Sequence, residues 1–166
     1  MPHTLANLNA LPAAEFAATL GGVFEHSPWI AECAAARRPF ATLDALHAAI
    51  CDVVDRSTTA DQLALIRAHP DLVGRIVLTA ESQGEQAAAG LTGLSPEEVA
   101  LFDRYNRDYK ARFGFPFVIC ARLNKKDAIL AAFPIRLQNS ADIERATALA
   151  EIYKIARLRL ADLIQP

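Results

Sequence analysis

The sequence predicts an all-α fold, and three observations carry that expectation. Alanine and leucine dominate the 166 residues, while β-branched residues are scattered. Helix-start signals recur along the chain, with Ser, Thr or Asp standing ahead of apolar stretches. Apolar residues then repeat at helical spacing, most clearly in the last quarter of the sequence. The expected architecture is one compact, bundle-like domain over residues 1–166, with about seven to nine helices.

Pro12 and Glu15 suit the first turn of a helix that runs to Leu20, where Gly21-Gly22 stops it. Ser27-Pro28 reads as an N-cap followed by proline at the first helical position, with helix to about Ala36. Pro39 breaks the chain. Thr42 caps a third helix whose buried stripe is Leu43, Leu46, Ile50, Val53 and Val54. Thr59 caps a fourth, ending at His69. Helix follows from Thr79 to Leu91, with Gly90 near its end. Ser95-Pro96-Glu97-Glu98 joins an N-cap, a proline and a capping-box glutamate, and its helix runs to about Arg112. Asp127 caps a helix to about Phe133 that Pro134 interrupts or kinks. Ser140 caps the last helix, Ala141 to about Ile164. Apolar residues cover much of its circumference, so it is either central or packed on a partner.

Hydrophobic residues make up 52% of the chain and charged residues 22%, a globular composition. A net charge of -2 and a pI near 6.1 argue against nucleic-acid and anionic-membrane partners. Cys33, Cys51 and Cys120 match no zinc spacing and form no disulfide framework; each reads as a buried small hydrophobe in a reducing compartment. The start is not that of a signal peptide. The apolar run Phe113 to Ala121 is too short to span a bilayer, so the expected location is the cytoplasm. His3 is expected in a frayed terminus. His26 and His47 lack partners at metal-ligand spacing, so no metal is expected.

Four stretches could carry chemistry. In Arg67-Ala-His-Pro-Asp-Leu72, His69 stands where a helix must stop. Pro70 disfavours helix at the residue before it, and the helix dipole there favours a protonated imidazole. His69 is therefore either a proton donor or shuttle, or only the end of a helix. Ser82, Glu85 and Gln86 share one helical face, although Ser-x-x-Glu is also a capping box. Phe113 to Arg122 mixes glycine, proline and aromatics. It is either a buried connector or a loop whose backbone groups bind a ligand. Arg157 and Arg159 lie among apolar neighbours, each a snorkelling side chain or a carboxylate clamp; their chemistry does not choose between them.

Taken in order, several segments resemble one family, the 2-oxo-4-hydroxy-4-carboxy-5-ureidoimidazoline (OHCU) decarboxylases. They are Phe24-Glu25-His26-Ser27-Pro28-Trp29, Ala68-His69-Pro70-Asp71-Leu72, and Leu78-Thr79-Ala80-Glu81-Ser82 with Glu85-Gln86. Ala89-Gly90-Leu91, Phe113 through Arg122, and Glu151-Ile152 through Leu158-Arg159-Leu160 continue the match over nearly the whole chain.

The resemblance implies a helical homodimer that uses no metal or organic cofactor. It implies decarboxylation of an anionic ureidoimidazoline to (S)-allantoin, the last step of urate degradation. His69 matches the catalytic histidine and Pro70 the substrate-contacting residue after it. Ser82, Glu85 and Gln86 match the polar substrate-binding cluster, with Glu85 also essential to catalysis. Phe117, Val118, Ile119, Cys120 and Ala121 match the loop whose backbone holds the ring and ureido group. Arg159 matches the family arginine better than Arg157. The segment between Gly74 and Leu78 looks about four residues shorter than is usual for the family. A ureide or imidazolone hydrolase, using His69 and Glu85 to activate water, and a non-catalytic helical sensor of a purine breakdown product are the alternative readings.

Overall fold

The computed structural model describes residues 3–74 and 78–165. Among them are nine α-helices and two two-residue strands, so the chain is nearly all-α. The expectation about the shortened segment between Gly74 and Leu78 falls on residues 75–77, outside the described residues. The chain divides into two units, Met1–Leu65 with Tyr153–Pro166, and Ile66–Ile152.

In the first unit, β1 (His3–Thr4) leads into α1 (Leu5–Ala10), followed by α2 (Ala13–Thr19), α3 (Trp29–Ala35), α4 (Leu43–Asp55) and most of α5 (Thr59–Arg67). α2 packs on α3 and α3 on α4, around buried Phe16, Ile30, Leu46, Ile50 and Val54. Thr42 caps α4 by accepting from the Ala45 N–H at 3.0 Å. His3 is not frayed: β1 pairs in parallel with β2 (Ile164–Gln165), His3 opposite Ile164.

Two caps differ from the sequence expectation. Ser27 does not cap α3. Its hydroxyl donates to the Glu25 carbonyl at 2.8 Å, inside a chain reversal where His26 takes φ +45°. Thr58, not Thr59, caps α5: its hydroxyl accepts from the Asp61 N–H, and the Asp61 carboxylate accepts from the Thr58 N–H. That reciprocal acid three residues on is what selects Thr58 from the Thr-Thr pair. Cys33 also departs from expectation. It is exposed, because the buried face of α3 is Ile30, Ala31, Ala34 and Ala35.

The second unit holds α6 (Ala80–Ala88), α7 (Pro96–Phe113), a 3₁₀ turn at Ala121–Leu123, α8 (Lys126–Arg136) and the start of α9 (Ala141–Leu163). The capping box of α7 forms as expected from Ser95 and Glu98, and Gly114 ends that helix in the left-handed region at φ +75°. Ser140 caps α9 through the Ile143 N–H. Asp127 does not cap α8. The helix begins one residue earlier, where the Lys126 N–H donates to Ala89 O and Lys125 Nζ donates to Ala88 O, tying it to the end of α6. α8 also passes through Pro134 to Arg136, giving up the one backbone bond that proline cannot donate. Phe117 stacks on Phe133 at 3.8 Å between centroids, and Phe102 meets Phe133 edge-on, forming the aromatic centre of this unit. On α9, Ala148, Leu149 and Ile152 face inward while Ile143 is exposed.

Candidate active site

His69 is buried, two residues past the end of α5, and its N–H closes a turn onto Ile66 O at 3.2 Å. The helix thus stops before Pro70. Arg67, the last helical residue, reaches the Gly114 carbonyl with its Nε at 3.0 Å, which pins that end of α5 to the end of α7. The chain after His69 makes a short excursion in which Val73, a β-branched residue, takes φ +57°.

Ser82, Glu85 and Gln86 lie along one face of α6; Ser82 and Gln86 are buried and Glu85 half-buried. Ser82 is not a cap. Thr79 holds that position, its hydroxyl accepting from the Ser82 N–H. The amide of Gln86 bridges to the His69 loop: Oε1 accepts from the Val73 N–H at 3.0 Å and Nε2 donates to Asp71 O at 3.3 Å. Two residues of α7 hold the same loop. Buried Asn106 donates to Leu72 O at 2.8 Å, and Lys110 pairs with the Asp71 carboxylate at 2.6 Å.

The stretch Phe115 to Ala121 is buried and irregular until the 3₁₀ turn, as its glycine, proline and aromatics predict. Charged side chains hold its backbone. Arg136 Nη1 donates to Val118 O at 2.6 Å, with its guanidinium 4.2 Å from the Phe117 ring. The Cys120 N–H donates to Glu151 at 2.9 Å, and Asn124 Nδ2 donates to Cys120 O at 2.9 Å. Arg136 is itself paired with fully buried Glu144 at 2.9 Å, which also accepts from Tyr109 and Asn139. Burial first, then the bond to Glu144, pushes the Tyr109 hydroxyl well above its ordinary pKa. Burial likewise raises the Cys120 thiol, with the Glu151 and Glu85 carboxylates adding to the shift. Those charges place Glu85 within electrostatic reach of the loop, consistent with the packing of α6 against the 3₁₀ turn.

Three of the four sequence-predicted stretches therefore meet in the second unit. Arg159 belongs to the first. It is buried, its Nη2 paired with Glu25 at 2.9 Å and its Nη1 donating to Gly22 O at 3.0 Å. Arg157 differs: it is half-exposed and pairs with exposed Asp44 at 2.8 Å. A snorkelling surface role fits Arg157, and the buried, carboxylate-braced role belongs to Arg159. Sequence reading gave no role to Glu25, Asn106, Arg136, Glu144 or Glu151. Glu25 and Glu151 each had a signal, their places in the Phe-Glu-His-Ser-Pro-Trp segment and in the segment that runs from Glu151 to Leu160; the other three take their roles from contacts outside any such segment. Among the described residues, no three His, Cys, Asp or Glu side chains gather as a metal site would require.

Within the second unit this geometry can present backbone amides and carbonyls from a buried loop and move a proton through a histidine; within the first, a buried arginine can bind an anion. Comparison with known proteins gives it a chemical context. A family model described as OHCU decarboxylase matches residues 9–161. The chain is 46% identical over 165 residues to the 2-oxo-4-hydroxy-4-carboxy-5-ureidoimidazoline decarboxylase of Amia calva, covering 97% of this chain and 94% of that protein. It resembles a crystal structure of (S)-allantoin synthase with a TM-score of 0.80 and 32% identity, over 99% of this chain and 54% of that one. It also resembles a crystal structure of OHCU decarboxylase in the presence of (S)-allantoin, with a TM-score of 0.70 and 27% identity, over 83% of this chain and 92% of the other.

Proposed function

The chain belongs to the OHCU decarboxylase family, and from that premise we propose that His69, Glu85 and Arg159 carry its reaction. The reaction is a carboxy-lyase step, decarboxylation of 2-oxo-4-hydroxy-4-carboxy-5-ureidoimidazoline to allantoin in urate degradation. The bond from the carboxylate carbon to the ring breaks and carbon dioxide leaves. The electron pair passes to the neighbouring unsaturated carbon–nitrogen system as an enolate-like species, which a proton then quenches. Delivery of that proton to one face fixes the (S) configuration.

Arg159 binds an anionic oxygen of the substrate through its forked donors, with Glu25 and Gly22 O holding the guanidinium in place. His69 moves the proton, worth roughly 10²–10⁴-fold for a well-placed acid or base. Glu85 orients His69 or the ureido N–H groups. Pro70 and Ser82 contact the substrate, and Gln86 acts with them through the loop its amide holds. The backbone of Phe117, Val118, Ile119, Cys120 and Ala121 receives the ring and ureido group; a single buried donor aimed at developing charge is worth ~3 kcal/mol. No cofactor takes part in this scheme. The chain acts as one domain in the cytoplasm, as its size and composition suggest, and as a homodimer, for which the family resemblance is the support; sedimentation at working concentration tests the dimer.

The observation that carries the residue assignment is the Gln86 bridge, which joins the His69 loop to the Ser82–Gln86 face. The test is to generate substrate from urate enzymatically and follow carbon dioxide release together with allantoin chirality by circular dichroism. His69→Gln keeps the Ile66–His69 backbone turn and is expected to fold while losing turnover. Full activity in that variant would remove His69 from the mechanism. Ring or ureide hydrolysis without carbon dioxide release would replace the decarboxylase by a hydrolase.

A further inference from the structure

Two opposite charges grip the buried Phe117–Ala121 loop on either side of Ile119. The cation Arg136 donates to Val118 O at 2.6 Å, and the anion Glu151 accepts from the Cys120 N–H at 2.9 Å. Each grips the far end of a peptide plane that Ile119 shares. Val118 O and the Ile119 N–H belong to one planar, trans peptide and point to opposite edges of it; so do Ile119 O and the Cys120 N–H. A cation on a carbonyl draws electron density through the amide and makes the N–H of that unit a stronger donor. An anion on an N–H makes the carbonyl of that unit a stronger acceptor. Among the described residues, no protein group bonds either the Ile119 N–H or Ile119 O, although Ile119 is buried. Buried backbone groups of this kind ordinarily have partners.

We propose that Arg136 and Glu151 are positioning residues that sharpen a donor–acceptor pair on Ile119, which takes the edge of a cyclic amide or urea: a carbonyl oxygen on the N–H and an N–H on the carbonyl. The proposal rests on the decarboxylase reading, because it supplies that edge from the substrate and from allantoin. Arg136 is fixed for this task by Glu144, with Tyr109 and Asn139 completing the carboxylate's bonds. The charge on Glu151 also allows this effect to be separated from plain attraction. Removing a nearby negative charge favours an anionic ligand through space, whereas weakening the Ile119 carbonyl disfavours any ligand that donates to it. A neutral ligand isolates the second effect.

The experiment uses full-length protein with (S)-allantoin as the probe, titrated calorimetrically, and ¹⁵N-cysteine labelling to observe the Cys120 amide. Glu151→Gln keeps an acceptor for the Cys120 N–H and removes the charge. It is expected to weaken allantoin binding by about threefold to tenfold and move the Cys120 amide proton upfield. Glu151→Ala, which removes acceptor and charge together, is expected to weaken binding further. Unchanged or tighter binding in Glu151→Gln, with the wild type turning substrate over, overturns the proposal and leaves the decarboxylase intact. A wild type that neither releases carbon dioxide nor binds allantoin overturns both. Should Glu151→Gln not fold, the wild-type spectrum decides. A Cys120 amide proton well downfield of the ordinary range supports the charged bond, and one inside that range refutes it.

Discussion

Replacing Asn106 by alanine tests whether the loop after His69 is held by a few countable bonds. Asn106 donates to Leu72 O, and its own Oδ1 is buried with no partner. Losing the donor leaves a buried carbonyl unsatisfied, at about 1–3 kcal/mol, while deleting the orphaned Oδ1 recovers about 1 kcal/mol of the same kind of penalty. The global loss is therefore modest, about 1 kcal/mol. The local consequence is larger. Val73 sits at φ +57°, a conformation that costs an L-residue about 1–2 kcal/mol. Among the described residues, the backbone bonds opposing that strain are the two to Gln86 and the one from Asn106, since the half-exposed Lys110–Asp71 pair adds only about 0–1 kcal/mol. Without Asn106 the strain nearly matches what remains. Amide exchange at Val73, whose N–H donates to Gln86, should accelerate by about tenfold, because 1.4 kcal/mol is a factor of ten. Displacement of His69 should lower kcat by about 10- to 100-fold with little change in KM. A folded Asn106→Ala protein with wild-type Val73 exchange and wild-type kcat would refute the reasoning.

The arginine assignment gives a paired prediction. Arg157→Ala breaks a surface pair worth about 0–1 kcal/mol and should leave kcat/KM unchanged. Arg159→Met strands the buried Glu25 carboxylate and should cost about 3–5 kcal/mol by denaturant melting. Adding Glu25→Leu to Arg159→Met should restore most of that stability but no activity, which separates the pair's structural cost from its chemistry. For the thiols, burial and the nearby Asp55 charge push Cys51 up to about 12, and burial raises Cys120, so both stay protonated at pH 8. Iodoacetamide at that pH should label exposed Cys33 first, read by peptide mass spectrometry; prior labelling of Cys51 would contradict the burial argument.

What the sequence made legible is what short-range physics decides. The Ser95–Glu98 capping box, the Thr42 and Ser140 caps and the buried irregular Phe115–Ala121 stretch all depend on residues a few positions apart. The Thr58 cap was equally local, and the Asp61 three residues on was its signal. Asp127 failed because the start of α8 is settled by distant carbonyls at Ala88 and Ala89. The choice between Arg157 and Arg159 had no local answer, since both stand on one apolar helix and only burial beside Glu25 distinguishes them. Val73's backbone had no signal either; nothing about a valine anticipates φ +57°, which Gln86 and Asn106 impose from outside.

The pairing of β1 with β2 has a mechanical consequence. The strands are parallel, with His3 beside Ile164 and Thr4 beside Gln165. A force that draws the two ends of the chain apart pulls these strands in opposite directions along their common axis. It loads their bonds together, in shear, rather than peeling them one after another as it would in an antiparallel pair. Anything tethered through both ends would meet this small clasp first, and its rupture would register before any helix unwinds.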